Sequence, residues 1–306
     1  MERDISVFSK LGPVWDYDIV IGTHPGVFHA DDVVAISLLH IYYDCESIGV
    51  MRTEDPNELQ KCDIFVDIDG GEYANAKLVW KKLGRKIVKK LSNNVEGKLN
   101  EFQISSVADS INENYIQTID DISNRIYSDD EFFSYIDAFT PSWYCCNNRA
   151  FNEAFAKVVE ITISIVERFI RKAVEKEASY LLILSSMDNN CSRILEIPAP
   201  TFPWKDPILL YNGCFRQTID FVIFPYPSSS PLEGWAAQCI PRNIATPFDK
   251  RIPFPKNWAG QTNKLPEISG ISDATFCDIN CSFVRGNTKE AIIQMCEKAI
   301  EIFEKK

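Results

Sequence analysis

Two histidines and two aspartates occur close together near the start of the chain. The segment THPGVFHADD places His24 directly after an apolar run, and it places His29, Asp31 and Asp32 beyond a Pro-Gly turn. Imidazole and carboxylate groups together suit Mn²⁺, Zn²⁺, Fe²⁺ or Mg²⁺, and histidine shifts the preference toward transition metals. Alternatively, an aspartate would cap a helix and His24 would hydrogen-bond a turn. Because the four residues fall within nine positions, we favour the metal site.

A second acidic motif, VDIDGG, also follows an apolar run. Asp67 or Asp69 could be a metal ligand at the end of a central strand. The two glycines that follow would let the backbone approach a phosphate or a metal closely. An Asp-Gly pair after a strand is more often a plain turn, so this motif carries little weight by itself.

Two further motifs carry still less weight. Asp120 lies in IDDISN, where acids on a polar helix usually form a solvated face. Arg285, Gly286 and Asn287 precede the last predicted helix and could offer a guanidinium and backbone N–H groups to a phosphate. A plain loop is the alternative there. The CxxxC at 277–281 has no second His or Cys pair after it, so we expect a structural role.

Apolar periodicity predicts the elements that must position these residues. The first part of the chain alternates short apolar runs with amphipathic segments, which indicates an α/β unit with a mostly parallel sheet. The predicted strands are 17–21, 47–52 and 63–68, and the predicted helices are 30–43 and 74–91. Parallel sheets hold ligands at the carboxyl ends of their strands. His24 and Asp67 both follow such an end, so we expect them to be neighbours in space.

The second half of the chain has a different character. A long amphipathic helix is predicted from about residue 150 to residue 179, and a final helix is predicted over 289–304. The predicted strands between them are 180–184, 193–197, 208–211, 218–224 and 235–240. Mostly sequential strands favour antiparallel pairing. We therefore divide the chain into an α/β domain (1–148), a connecting helix (149–179) and a smaller α+β domain (180–306).

Composition indicates which partners and which cellular compartment to expect for this protein. No run of 18 apolar residues is present, so no membrane span is expected. The net charge of −11 disfavours nucleic-acid binding at long range, although a local basic groove or bound cations can reverse the field. Ten cysteines without a CxxC pair, and no secretory signal, predict free thiols in a reducing compartment. We expect a cytoplasmic or nuclear protein without a visible mitochondrial presequence; the oligomeric state is left open.

The motifs together resemble the melanocyte-proliferating-gene (Myg) family. The resemblance begins with THPGVFHADD and CDIFVDIDGG, and it continues in the same order through YIQTIDDISN, TPSW, FPWK, GWAAQCIP, FDKRIPFPKNWAG and SFVRGNTKEA. It covers nearly the whole chain. The resemblance implies membership of the DHH phosphoesterase superfamily, with a DHH-like first domain and a substrate-binding second domain. It also implies metal-dependent 3′–5′ RNA exonuclease activity with Mn²⁺ or Mg²⁺, and a nuclear, mitochondrial or cytoplasmic location.

The resemblance also implies roles for individual residues. The expected metal ligands are His24, His29, Asp31, Asp67 and Asp120. The acids expected to take part in catalysis are Asp32, where the family usually has glutamate, and Asp69, an extra acid where the family has valine. The residues expected to bind substrate are Arg285, Gly286 and Asn287.

One family motif is absent. The family carries Asp-His-His-Gln after its Gly-Gly motif, whereas here GGEY (70–73) runs directly into ANAKLVWKKLG (74–84), and no His-His pair occurs anywhere. We therefore expect an incomplete two-metal site and weak or absent nuclease activity. Three hypotheses stay open: an impaired Myg-type phosphodiesterase, a pseudoenzyme that binds RNA or a protein, or a gene model that has lost an exon. Sequencing the transcript across the codons for Tyr73 and Ala74 tests the last one.

Overall fold

The structure, a computed structural model, describes most of the chain in two compact units, residues 1–177 and residues 178–306. The described residues are 4–9, 17–44, 47–68, 71–95, 98–117, 119, 135–144, 146–187, 192–214, 218–226 and 234–305. Each unit contains one β-sheet with helices. The predicted α/β fold class is confirmed.

The sheet of the first unit is parallel throughout its described strands. Its strands are β1 (Asp4–Phe8), β2 (Ile19–Thr23), β3 (Ser47–Arg52) and β4 (Ile64–Phe65), in the order β1-β3-β2-β4. Strand β1 is additional to the prediction, and the other three fall within or beside the predicted runs. All three pairings are parallel. The carboxyl ends of β2 and β4 therefore lie side by side at one edge.

The helices of the first unit differ in how much of their surface is buried. The helices are α1 (Ala30–Tyr43), α2 (Pro56–Leu59), α3 (Ala76–Ser92) and α4 (Glu101–Ile111), and a π-helical turn follows at Asn112–Ile116. Helix α1 is buried almost all round, from Ala30 to Ile41. Helix α3 buries one face only, as its amphipathic pattern predicts. Trp80 of α3 donates from Nε1 to the Ala108 carbonyl of α4 at 3.0 Å.

The long helix α5 spans Asn148–Met187, so it extends further than the predicted 150–179. The strand predicted at 180–184 is wrong, because those residues are the last turns of α5. No glycine or proline interrupts the segment from 150 to 187, and a short apolar run by itself does not distinguish a buried strand from a helix. Ile183 is buried while Leu184 is exposed, which is compatible with one face of a continuing helix.

The second unit contains a mixed five-stranded sheet. Its strands are β5 (Ile194–Glu196), β6 (Phe221–Tyr226), β7 (Gly234–Cys239), β8 (Ala274–Cys277) and β9 (Phe283–Gly286), in the order β5-β6-β7-β9-β8. The predicted antiparallel pairing holds except between β5 and β6, which are parallel. Strands β8 and β9 were missed by the sequence pattern. Helices α7 (Leu265–Ser269) and α8 (Lys289–Glu304) complete this part of the unit.

The strand predicted at 208–211 is also wrong, because it lies in helix α6 (Lys205–Cys214). Ile208 and Tyr211 are buried and Leu210 is 57% exposed, which is helical spacing rather than strict alternation. Helix α6 provides the crossover that a parallel β5–β6 pair needs. The sequence pattern alone favoured a strand because the apolar run is only four residues long.

The core of the second unit depends on large aromatic side chains. Trp258 is 1% exposed, and its ring stacks against Phe254 with centroids 6.3 Å apart. One buried carboxylate, Asp220, is paired with Arg193 at 2.5 Å and Arg251 at 2.9 Å. The pairing satisfies a charge that would otherwise be costly to bury. Among the described helices, none is long and apolar enough to cross a membrane.

We predict that Trp258→Ala lowers the free energy of unfolding by about 3–5 kcal/mol, because it empties a fully buried aromatic site. Chemical denaturation followed by circular dichroism measures this change. The matched control is Phe248→Ala in the same unit, whose side chain is 87% exposed and whose loss should leave stability nearly unchanged. Equal stability of the two variants would contradict the assignment of Trp258 to the core.

Candidate metal centre

The candidate metal centre lies in the turn between strand β2 and helix α1. Strand β2 ends at Thr23, and Gly26 takes a left-handed φ of 80° in the turn before α1. Helix α1 then begins at Ala30 with His29 at its N-cap. The turn is tied to the neighbouring strand, because the Thr53 amide donates to the Thr23 carbonyl at 3.0 Å. The local fold therefore holds both histidines at the carboxyl edge of the parallel sheet.

Asp32 is the buried anchor of this turn. Its carboxylate is 1% exposed, and its Oδ2 atom accepts from the His29 backbone N–H at 2.9 Å and from His24 Nε2 at 3.2 Å. The His29 ring nitrogen Nδ1 lies 3.7 Å from the same oxygen. Its second oxygen, Oδ1, is buried without a hydrogen-bond partner in the described structure. The Asp32 carboxylate thus lies close to both histidines, and its Oδ1 atom remains available as an acceptor.

Electrostatic interactions among His24, His29 and Asp32 shift the pKa of each of the three groups. The hydrogen bond to Asp32 raises the pKa of His24 to about 9, although burial acts in the opposite direction. Burial alone would raise the pKa of Asp32, but the hydrogen bonds from His24 and His29 outweigh it and hold that pKa well below its usual range. The same carboxylate raises the pKa of His29. Without a metal, the two imidazoles are stabilised in their cationic form beside the Asp32 carboxylate.

His24 is oriented as metal-binding histidines generally are. Its Nδ1–H donates to the Pro25 carbonyl at 3.0 Å, which leaves Nε2 directed at Asp32 and Asp67. A histidine ligand usually fixes its free nitrogen in this way by donating the other N–H to a carbonyl or carboxylate. Among the described residues, one atom each of His24, His29 and Asp32 lie within 4.8 Å of one another, a group that could hold a metal ion.

Asp67 joins this group from the next strand. Its Oδ2 lies 3.4 Å from His24 Nε2, so the two residues are neighbours, as the parallel-sheet argument predicts. Asp67 has a left-handed φ of 50°, and its N–H donates to the Tyr73 carbonyl at 2.9 Å. An isolated parallel bridge also pairs Val66 with Tyr73. Burial, followed by repulsion from Asp32, raises the pKa of Asp67.

The other acids expected at the site divide into two sets. Asp31 is half-buried, and burial together with the Asp32 charge raises its pKa to about 6, but it is not one of the three residues that converge. Its role as a ligand stays a prediction. Asp69 and Asp120 lie outside the described residues, so their predicted roles also stay open.

Arg52 is a residue that sequence reasoning missed. It ends strand β3, is fully buried, and donates from Nη2 to the Gly26 carbonyl at 2.8 Å and from Nη1 to Asn152 Oδ1 at 3.3 Å. Its guanidinium lies 4.4 Å from the Phe155 ring centroid. Burial lowers its pKa to about 10, so it stays charged at neutral pH. The signal available in the sequence was a lone cation at the end of an apolar strand.

The residues predicted to bind substrate belong to the second unit. Arg285 is half-buried, and its guanidinium lies 4.6 Å from the Phe276 ring centroid and 5.4 Å from that of Tyr226. Gly286 is buried, and the Asn287 N–H donates to the Asp273 carbonyl at 2.9 Å. The Asp273 carboxylate also contacts Thr288 Oγ1 at 3.3 Å, at the start of α8. That negative charge disfavours a phosphate there, and the predicted role stays untested.

The fold and the geometry define a class: an α/β protein with a candidate divalent-metal centre at the carboxyl edge of a parallel sheet. Comparison with known proteins is more specific. The MYG1 exonuclease family model, described as an uncharacterised protein family (UPF0160), matches residues 20–77 and 71–300. The chain belongs to this MYG1 family. The predicted Myg resemblance is therefore confirmed.

Similar proteins come from animals and bacteria. A MYG1 protein of Caenorhabditis elegans is 25% identical over 342 residues, which covers 93% of this chain and 96% of that protein. A protein named MYG1 exonuclease from Mus musculus is 23% identical over 334 residues, covering 92% of this chain and 84% of that protein. A MYG1 protein of Chlamydia pneumoniae is 27% identical over 268 residues, covering 84% and 88% respectively.

The family model matches this chain in two segments, which overlap at residues 71–77. No Asp-His-His-Gln sequence occurs in the chain. The match to the mouse protein extends over 334 positions, whereas 92% of this 306-residue chain is about 280 residues. Roughly 50 positions of that match therefore have no counterpart in this chain.

We predict that Arg52→Met lowers the free energy of unfolding by about 1–3 kcal/mol, because it leaves the Gly26 carbonyl without its donor. Denaturant titration measures the change. Arg149→Met is the control, since Arg149 makes only an exposed pair with Glu153 and its loss should not change stability. An Arg52→Met protein as stable as the parent would show that this guanidinium does not hold the turn.

Proposed function

We propose that this protein is a metal-dependent phosphodiester hydrolase that acts on RNA from its 3′ end, with an activity limited by an incomplete metal site. The observation that carries the proposal is the convergence of His24, His29 and Asp32 beside Asp67. It occurs in a chain whose family includes proteins named MYG1 exonuclease.

The donor set fits a divalent transition metal. Two imidazole nitrogens and a carboxylate oxygen are ligands that Mn²⁺ accepts, and the additional carboxylate of Asp67 makes the set suitable for a hard ion. The unpartnered Oδ1 of Asp32 supports this fit, because a buried carboxylate oxygen without a donor is otherwise costly. When bound, such an ion lowers the pKa of a water molecule and stabilises charge on a phosphoryl group.

The protein's own residues supply positioning and access. Pro25 fixes the His24 ring through its carbonyl, and Asp32 fixes the backbone of His29. The His29 side chain is 61% exposed and that of Asp67 is 44% exposed, so these two form the solvent side of the site. This exposed side is where a phosphodiester would approach, since Asp32 is buried. Arg52 supports the turn from beneath without reaching the solvent.

A second candidate function is a pseudoenzyme that binds RNA or a protein without cutting it. The observation that favours it is the absent His-His motif, which leaves one three-residue group among the described residues where the family resemblance implies two metals. Losing even the partners that orient ligands typically weakens metal binding about 10–100-fold. Losing ligands should weaken the second ion more.

We predict that the protein binds one equivalent of Mn²⁺, and that His24→Ala and Asp32→Asn each weaken this binding more than about tenfold. Both substitutions remove a group from the converging set. Isothermal titration calorimetry measures the affinity and the stoichiometry. Asp55→Asn is the control, because Asp55 is exposed and caps α2, a position where asparagine serves equally well. A folded protein that gives no heat with Mn²⁺ would remove the metal site.

We predict slow Mn²⁺-dependent shortening of a labelled RNA from its 3′ end, reduced more than about tenfold by Asp67→Asn and abolished by EDTA. Denaturing gel electrophoresis of 5′-labelled and 3′-labelled substrates reports both rate and direction. The Asp55→Asn protein should cleave at the parent rate.

The outcomes separate the two candidates. Cleavage that depends on Asp67 excludes the pseudoenzyme. Mn²⁺ binding without cleavage, together with retention of the uncut RNA, would instead establish the pseudoenzyme. Cleavage that is unaffected by Asp67→Asn would point to a contaminating nuclease and would overturn the hydrolase.

A further inference from the structure

The turn that carries the two histidines packs against the first turns of helix α5. Phe28 directly precedes His29 in this turn, and its side chain is 4% exposed. The Phe28 ring meets the ring of Phe155 edge-on, with centroids 5.3 Å apart. Phe155 belongs to α5 and is fully buried. The turn and α5 are distant in sequence, so this contact exists only in the folded unit.

Arg52 forms a second, polar link between the same two segments. Its Nη2 donates to the Gly26 carbonyl at 2.8 Å, and its Nη1 donates to Asn152 Oδ1 at 3.3 Å. Asn152 precedes Phe155 by three residues, so both side chains lie on one face of α5. The guanidinium also lies 4.4 Å from the Phe155 ring centroid and 5.7 Å from that of Phe28. A planar fork of donors suits two acceptors and two rings at once, whereas a lysine would not.

The side-chain amide of Asn152 is held in one orientation. Its Oδ1 accepts from Arg52, while its Nδ2 donates to Ser9 Oγ at 2.9 Å. Turning the amide over would place its NH₂ group against the guanidinium, donor against donor. Ser9 follows strand β1, which pairs in parallel with β3, and β3 ends at Arg52. Asn152 thereby joins α5 to the carboxyl ends of two neighbouring strands.

The position of the Gly26 carbonyl affects both histidines. Gly26 lies between His24 and His29 in the chain and has a left-handed φ of 80°. On β2, Thr23 is paired directly opposite Arg52, so the guanidinium reaches from the middle strand over the start of the turn. Without Asn152, Nη1 would lose its acceptor inside the protein, where an unpaired donor is costly. The guanidinium would then rearrange, and its hold on Gly26 would weaken.

We propose that Asn152 is a positioning residue of the candidate metal centre. Through Arg52 it fixes the Gly26 carbonyl, and so it fixes the spacing of the His24 and His29 imidazoles. Asn152 acts through Arg52 and not on the ion itself. The metal-affinity part of this inference rests on the proposed function, whereas the effect on the imidazoles can be measured without a metal.

The first test uses the metal-free protein and the imidazole signals of its three histidines, recorded by ¹H–¹³C NMR spectroscopy. Asn152→Leu should shift the His24 and His29 signals, because it releases the turn that carries both rings. The signal of His40, which is buried near the end of α1, should stay unchanged and serves as the internal reference.

The second test is isothermal titration calorimetry with Mn²⁺. Asn152→Leu should weaken binding by about threefold to tenfold, less than the 10–100-fold typical of a direct partner of a ligand, because it acts one contact further out. Asn152→Asp retains an oxygen acceptor for Arg52 Nη1 in a charge-assisted hydrogen bond. It should therefore restore the affinity to within about twofold of the parent.

Val174→Ala is the matched control. Val174 is fully buried in α5 and lies about 30 Å further along the helix, so its loss perturbs the same helix without touching Arg52. It should leave both the imidazole signals and the Mn²⁺ affinity unchanged.

The proposal is overturned if a folded Asn152→Leu protein keeps the parent signals of His24 and His29. It is equally overturned if Val174→Ala weakens Mn²⁺ binding as much as Asn152→Leu does, since the effect would then reflect general destabilisation. A folded parent that binds no Mn²⁺ would instead remove the proposed metal-dependent function, and the imidazole signals of the metal-free variants would still decide whether Asn152 positions the turn.

Discussion

The buried carboxylate of Asp32 is the constraint on which the candidate metal centre depends. A charge that is 1% exposed must be compensated, and here both compensating side chains are imidazoles delivered by the turn between β2 and α1. The requirement fixes the path of the turn, the orientation of His24 and the start of α1 at the same time. Arg52 adds a second buried charge beneath the turn, bonded to the Gly26 carbonyl. The site is therefore a structural element of the first unit as well as a candidate reaction centre.

Much of the architecture follows from periodicity, and the errors have a common cause. The parallel sheet, helix α1 and helix α8 were predictable because their apolar patterns are long or are bounded by clear turn residues. The strands predicted at 180–184 and 208–211 are helical, because a run of four or five apolar residues fits either structure until its neighbours are known. Strands β8 and β9 were missed because their sequences, ATFC and FVRG, interrupt the apolar residues with Thr or Arg and Gly, so neither forms a continuous apolar run.

At the site, sequence reasoning predicted that His24 and Asp67 are neighbours, which the structure shows, whereas the roles predicted for Asp31 as a ligand and for Asp32 in catalysis stay predictions. Adjacent residues on a helix point in different directions, and only the structure shows that Asp32 is the one that turns inward to His24. Arg52 was out of reach for a similar reason: its partners, Gly26 and Asn152, are distant in sequence. Local motifs carry the chemistry of a site, whereas the groups that support it come from long-range packing.

The bridge between Val66 and Tyr73 has an evolutionary consequence. The bridge ends the described pairing of this sheet at Tyr73, and the Asn75 side chain caps α3 two residues later. Residues added or removed between Tyr73 and Ala74 would therefore change the length of the link between two separately supported elements, at a cost in closure entropy of about 0.6 kcal/mol for each doubling of its length. A chain could lose a whole segment at this point and still form a stable domain. Selection for a folded chain and selection for turnover are thereby decoupled. Persistence of such a chain in a genome is no measure of how fast it works.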